Sequence, residues 1–176
     1  WTSITVGFIF AFPFILWEIW KFISPALYEK ERKYAVSFII VSSFLFFVGV
    51  LFGYYLIAPL SVHFFASYIV SPEISNSIDI DSYMSLMKTS AIASGLLFEL
   101  PIIIFFLTKI GLVTPEFLRK YRKYTLVIVL IVAAVITPPD VLSQIIVTIP
   151  IMILYEASIL ISVLVVKSQE REKLKA

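Results

Sequence analysis

Residues 91–107 read AIASGLLFELPIIIFFL, an apolar run long enough to lie in a lipid bilayer and interrupted by a single acid, Glu99. The length of the run, with no alternation of period two, favours a helix, because in lipid each segment must satisfy its own backbone donors and acceptors. Glu99 stands in the setting Phe98-Glu99-Leu100-Pro101. An ionised carboxylate in hydrocarbon is costly, so an intramembrane Glu is expected to be protonated, paired or turned to a wet cavity, and it is a functional candidate by default.

Composition extends this reading to the whole chain. Of 176 residues, 60% are apolar and 15% charged, and the mean hydropathy is +1.00. Such a chain is an integral membrane protein, since a soluble domain of this size exposes far more charge. With no cysteine and only His63, it offers no disulfide, no thiolate nucleophile and no histidine cluster for a metal. A formal charge of +2 is too small to suggest nucleic-acid binding, and no cofactor is expected.

Further apolar segments can be drawn at 4–20, 34–58, 82–108, 124–136 and 141–166. The expected fold is all-α, a polytopic transmembrane helix bundle in one domain spanning 1–176, with the last two helices joined by a short turn, Thr137-Pro138-Pro139-Asp140. The run 124–136 is short: at about 1.5 Å per residue it reaches about 20 Å, against about 30 Å of hydrocarbon. Its end is therefore expected to lie in a locally thinned bilayer or beneath the surface, shielded by protein. Pro13 and Pro101 are expected to kink their helices and give the bundle a concave face. Gly49 with Gly53, and Ala91 with Gly95, form small-xxx-small pairs suited to close helix packing, and Glu99 continues the second at the same four-residue step.

Orientation follows from the basic residues, which are retained on the cytoplasmic side. All but one of the 14 Lys and Arg fall in three clusters, after the first, third and fifth segments. Residues 34–87 carry none, and the connector within them holds Glu73, Asp79 and Asp81. Lys88 is the exception, and its long stem can snorkel to the interface. The chain is thus expected to enter from outside, to end in the cytoplasm, and to follow at least one earlier helix.

Enzyme motifs do not appear: five scattered glycines make no phosphate loop, and no nucleophile triad or metal-ligand spacing is credible. An enzyme is not expected. The polar residues in or beside the membrane are Glu18, Glu99, Thr137, Asp140, Gln144 and Glu156. Asp140, after two prolines, is also an obvious helix N-cap, and Glu18 between Trp17 and Trp20 reads as an interface residue.

Four spaced motifs together carry a resemblance. The stretch from Phe22-Ile23-Ser24-Pro25 through Glu31-Arg32, then Phe98-Glu99-Leu100-Pro101, then Thr137-Pro138-Pro139-Asp140 with Gln144, then Tyr155-Glu156, resembles the TatC family, the multispanning receptor subunits of the twin-arginine translocase. The resemblance implies six helices with both termini cytoplasmic, so the five visible here correspond to the second through sixth. It also implies a bacterial cytoplasmic (inner) membrane location, twin-arginine signal peptides of folded substrates as ligands, the single-helix subunits TatA and TatB as partners, and homo-oligomers within the complex. The family's amphipathic N-terminal segment, its acidic signal-peptide residue and its first helix have no counterpart in these 176 residues.

The same resemblance implies a signal-peptide site at Phe22, Pro25, Glu31 and Lys33, an intramembrane polar site at Phe98, Glu99 and Pro101, and partner-helix docking at Thr137, Asp140, Gln144 and Glu156. Glu31 would receive the Arg-Arg pair, because a guanidinium fork matches a carboxylate at two points and an ammonium does not. At Lys33 some relatives carry Arg, a change that removes a planar fork. An exposed ion pair gives only about 0.2–1 kcal/mol, so Glu31 needs further acceptors. The alternative from the residues alone is a proton-coupled secondary transporter using Glu99, which would predict paired broken helices in repeated halves.

Overall fold

Apolar side chains on every face make α1 (Thr2–Ile23) a helix suited to lipid or protein on all sides. Pro13 cannot donate to the carbonyl of Ile9, yet the helix runs through it without interruption. The computed structural model describes residues 1–23, 35–68 and 79–173.

The second apolar segment is longer than its hydropathy suggests. It forms α2 (Ala35–Phe52), a π-helical turn (Gly53–Ile57) and α3 (Ala58–Ser67) in continuous succession. The π turn has a local cause in Pro59, which has no N–H for the carbonyl four residues back. The ladder widens instead, and the Ala58 N–H donates to the Gly53 carbonyl five residues before it.

The segment around Glu99 divides into α4 (Ile80–Leu97) and α5 (Leu100–Lys109). Pro101 leaves the Leu97 carbonyl without its usual donor, and the Glu99 N–H tightens onto the Leu96 carbonyl at 3.2 Å. A single helix over 82–108 is thereby corrected to two, broken at Phe98 and Glu99. At the start of α4, Asp79 Oδ1 accepts from the Ser82 N–H at 2.5 Å. That bond to the Ser82 amide holds the Asp79 carboxyl below the usual carboxylate range. A lowered value in the fold means that this cap helps above the ordinary carboxylate pKa and is lost as pH falls through the lowered one. Amide exchange at Ser82 should therefore accelerate selectively in strong acid.

The fourth segment starts earlier than expected. α6 is Pro115–Ile136, beginning at Pro115 with Thr114 as N-cap, its Oγ1 accepting from the Phe117 N–H at 3.2 Å. Arg119, Lys120, Arg122 and Lys123 do not oppose the helix, because Lys and Arg are good helix formers and all four are exposed here. The apolar part of α6 stays as short as the sequence indicates. α7 (Val141–Lys173) continues past its apolar run. Among the described residues, four helices, Thr2–Phe22, Phe38–Ser67, Ile80–Lys109 and Val141–Arg171, are long and apolar enough to cross a membrane.

Backbone contact sets the packing of α2 and the π turn on α4. A Cβ on Gly49 would lie 2.7 Å from the Ser94 carbonyl oxygen and 2.8 Å from the Gly95 Cα. A Cβ on Gly53 would overlap the Ser90 carbonyl, while one on Gly95 would lie 2.8 Å from the Phe46 ring. The two small-residue pairs are thus one interlocked seam. Lipid gives little hydrophobic drive for helices to associate, so such close contact is what joins them.

Three buried groups of side chains surround this seam. Phe12, Leu16 and Trp20 of α1 meet Ile39 and Phe46 of α2, with the Phe12 and Phe46 rings stacked at 3.5 Å. Ile57 joins Val129 and Ala133 of α6 to Val147 and Ile151 of α7. Ile104 and Leu118 close on Tyr155 and Ile159. Polar ties reinforce α7: Thr108 Oγ1 donates to Ser162 Oγ at 2.9 Å, the Tyr155 hydroxyl to the Leu118 carbonyl at 2.8 Å, and Gln169 Nε2 to the Lys109 carbonyl at 3.0 Å. Leu142, Ile145, Ile149, Ile153, Leu160 and Leu164 form an exposed stripe down the other side of α7, the surface that a lipid environment fits.

Candidate functional site

Glu99 lies at the break between α4 and α5 and is 6% exposed. Ser42, fully buried on α2, donates its hydroxyl to Glu99 Oε2, while Glu99 Oε1 is buried without a hydrogen-bond partner. The break places the acid, since Glu99 precedes α5 and makes no side-chain cap to it. Phe98 is also buried, with its ring 5.4 Å from that of Phe52, and Pro101 is buried behind it. Phe98, Glu99 and Pro101 are thus all buried at the same helix break. Of the three settings expected for such an acid, the structure shows a paired one, with Glu99 packed towards α2.

Ser42 is the residue that sequence reading missed. Two adjacent hydroxyls, Ser42-Ser43, interrupt an otherwise apolar helix, and that pair was the available signal. Ser43, Ser90 and Ser94 carry buried hydroxyl oxygens without partners, so polar groups recur along the same α2–α4 seam.

The turn between α6 and α7 is a self-contained hydrogen-bonded unit. Asp140 Oδ2 accepts from the Ser143 N–H at 2.7 Å, which makes it the N-cap of α7. Thr137, 7% exposed, donates its hydroxyl to the Ala133 carbonyl at 2.9 Å. Gln144 Nε2 reaches back to the Leu130 carbonyl at 2.9 Å. Thr137, Asp140 and Gln144 are therefore brought together, and each already serves the turn. Asp140 Oδ1 and Gln144 Oε1 retain acceptor capacity, Oδ1 being buried and unpaired.

Glu156 does not belong with them. It faces Arg122 of α6, which meets it at two points, Nε to Oε1 at 2.7 Å and Nη2 to Oε2 at 2.8 Å. It lies more than four helical turns from Asp140 along the chain, about 24 Å at 1.5 Å per residue, and so stands apart from the turn. The pair is half exposed, so Arg122→Ala should lower stability by at most about 1 kcal/mol. Asp140→Ala removes a cap and should cost about 1–2 kcal/mol, with thermal unfolding in detergent separating the two. Phe22, at the end of α1, is exposed. Pro25, Glu31 and Lys33 lie outside the described residues.

Known proteins match both sequence and fold. A family model described as Sec-independent protein translocase protein (TatC) matches residues 1–150. A TatC protein of Blattabacterium sp. subsp. Periplaneta americana is 47% identical over 169 residues, 96% of this chain and 64% of the relative. TatCy of Bacillus subtilis is 46% identical over 89% of this chain and 62% of its own length. The chain therefore spans somewhat under two thirds of these relatives. A crystal structure described as Twin Arginine Translocase Receptor- TatC superposes with a TM-score of 0.74 at 38% identity, covering 93% of this chain and 72% of that one. Matching family, sequence and helix arrangement together, this multispanning membrane chain belongs to the TatC family of Sec-independent protein translocase proteins.

Proposed function

We propose that this chain forms the receptor core of a twin-arginine translocase, binding the signal peptides of folded proteins for export across a bacterial inner membrane. The observation that carries this reading is the likeness over nearly all of the chain to a twin-arginine translocase receptor. The charge distribution supports a cytoplasmic side for the C-terminus and for the loop proposed to recognise the Arg-Arg pair. In this reading Glu31 accepts the signal guanidinium groups, with Phe22, Pro25 and Lys33 forming the surrounding loop.

TatA and TatB would approach α6 and the start of α7. The capacity left at that turn is for acceptance, at Gln144 and Asp140, so the partner groups suited to it are donors. Glu99 Oε1 is likewise an unfilled acceptor, and a helix that parts α4 from α2 would reach it. Intramembrane hydrogen bonds contribute about 0.6–2 kcal/mol, enough to set register once packing holds the helices together.

Site-specific crosslinking from positions 22 and 31, in membranes containing the complete protein, tests the receptor role. An Arg-Arg peptide should crosslink at both, and Glu31→Ala should weaken its binding up to about fivefold while leaving a Lys-Lys analogue unchanged. Equal binding of the two peptides by the unsubstituted protein would refute the assignment.

A further inference from the structure

We propose that the polar start of α6 binds the headgroup of an anionic phospholipid whose acyl chain runs along the apolar remainder of the same helix. Phe117, Lys120, Tyr121, Lys123 and Tyr124 are all exposed. Their rings form a ladder, Phe117 to Tyr121 at 4.5 Å and Tyr121 to Tyr124 at 5.8 Å. Lys120 Nζ lies 5.9 Å from the Tyr121 ring centre, and Lys123 Nζ lies 5.2 Å from that of Tyr124. Each ammonium thus sits at the level of an aromatic belt, where membrane–water boundaries favour tyrosine.

The charges there are available. Arg122 is engaged by Glu156 of α7, whereas neither Lys120 nor Lys123 enters an ion pair among the described residues. Glu116 is the sole acid between Pro115 and Ile136, so this segment is strongly cationic. Anionic headgroups are the complementary partner for such a segment at a membrane surface.

Continuity along the helix distinguishes a lipid from a free anion. From Lys120, steps of three or four residues lead through Tyr124 to Val127, Ile131 and Val135, all exposed. Val127 to Val135 rises about 12 Å, close to the depth of one leaflet, which is about 15 Å. One molecule can therefore place its phosphate at the lysines and its chain on the aliphatic stripe. A bound lipid would also hold the charged turns of this short-spanning helix at the interface.

Native mass spectrometry of the purified full chain, released from nanodiscs of mixed phosphatidylglycerol and phosphatidylcholine, tests the site. The unsubstituted protein should retain phosphatidylglycerol preferentially. The double variant Lys120→Gln/Lys123→Gln should lose about tenfold in retention, allowing for salt screening, while Lys120→Arg/Lys123→Arg and the distant Lys88→Gln should retain it normally. Undiminished phosphatidylglycerol preference in the double Gln variant would overturn the proposal. So would equal displacement of the lipid by inorganic phosphate at the same concentration, which would indicate a site for free anions.

Discussion

Gly53→Val should separate α2 from α4 and abolish the folded state under conditions where Gly7→Val is tolerated. The first substitution drives a branched side chain into the Ser90 carbonyl and within 2.8 Å of the Ala91 Cα. Neither obstacle is the end of a flexible side chain, so the only relief is movement of one helix. Overpacking in a core costs about 1–3 kcal/mol when side chains can give way, and this position should exceed that range because backbone must move. Gly49→Ala should be smaller and still severe, with Ser94, Gly95 and Phe98 all within 2.8 Å of the added carbon. Gly7 offers an internal control, having no atom within 4 Å of a built Cβ. Unfolding in mixed micelles followed by circular dichroism gives the comparison, and equal stability of the Gly53 and Gly7 variants would refute the interlocked seam.

Ser42→Ala and Glu99→Ala should interact in a double-mutant cycle, with a coupling of about 0.6–1.7 kcal/mol. The serine variant leaves a buried acid with neither oxygen paired, a desolvation penalty of about 1–3 kcal/mol. Glu99→Gln preserves volume and a carbonyl that still accepts from the Ser42 hydroxyl, so it should cost less than about 1 kcal/mol alone. Glu99→Ala is the more damaging change, since it orphans Ser42 and empties the space between α2 and the helix break. Coupling between intramembrane hydrogen-bonding pairs averages about 0.6 and reaches about 1.7 kcal/mol, so a value near zero would mean that the bond contributes nothing. Glu99→Gln also bears on the proposed docking role, because a glutamine places an N–H₂ where a partner donor would need an acceptor.

The two outcomes concern one structural unit. Gly49 and Gly53 bring α2 onto α4, and this approach carries Ser42 to Glu99. Loosening the glycine seam should therefore also weaken the hydrogen bond. An infrared band of the Glu99 carboxyl group that shifts in Gly49→Ala would report this without requiring the protein to unfold.

Much of the fold was legible because lipid makes hydropathy a local property of the chain. Each segment must close its own backbone hydrogen bonds, so runs of apolar residues disclose helices, and clusters of Lys and Arg mark their ends. Pro101 marked a kink in the segment 82–108, though not its division into α4 and α5, and Asp140 after Pro138-Pro139 marked the cap of α7. Local features misled where charge was taken as a boundary: the basic turns from Pro115 continue helically into α6, because exposed Lys and Arg suit a helix.

By itself, the sequence determined an all-helical membrane chain, its family motifs and the position of Glu99 in an apolar run. Only the tertiary structure decided that Ser42 meets Glu99 across 57 residues, that Arg122 takes Glu156 across 34, and that Thr137 and Gln144 already serve their own turn. Helix formation depends on neighbours along the chain, whereas these pairings depend on the rotation and depth at which two helices meet. At the α2–α4 seam those are set by the absence of two side chains, Gly49 and Gly53, and by the atoms that fill their place.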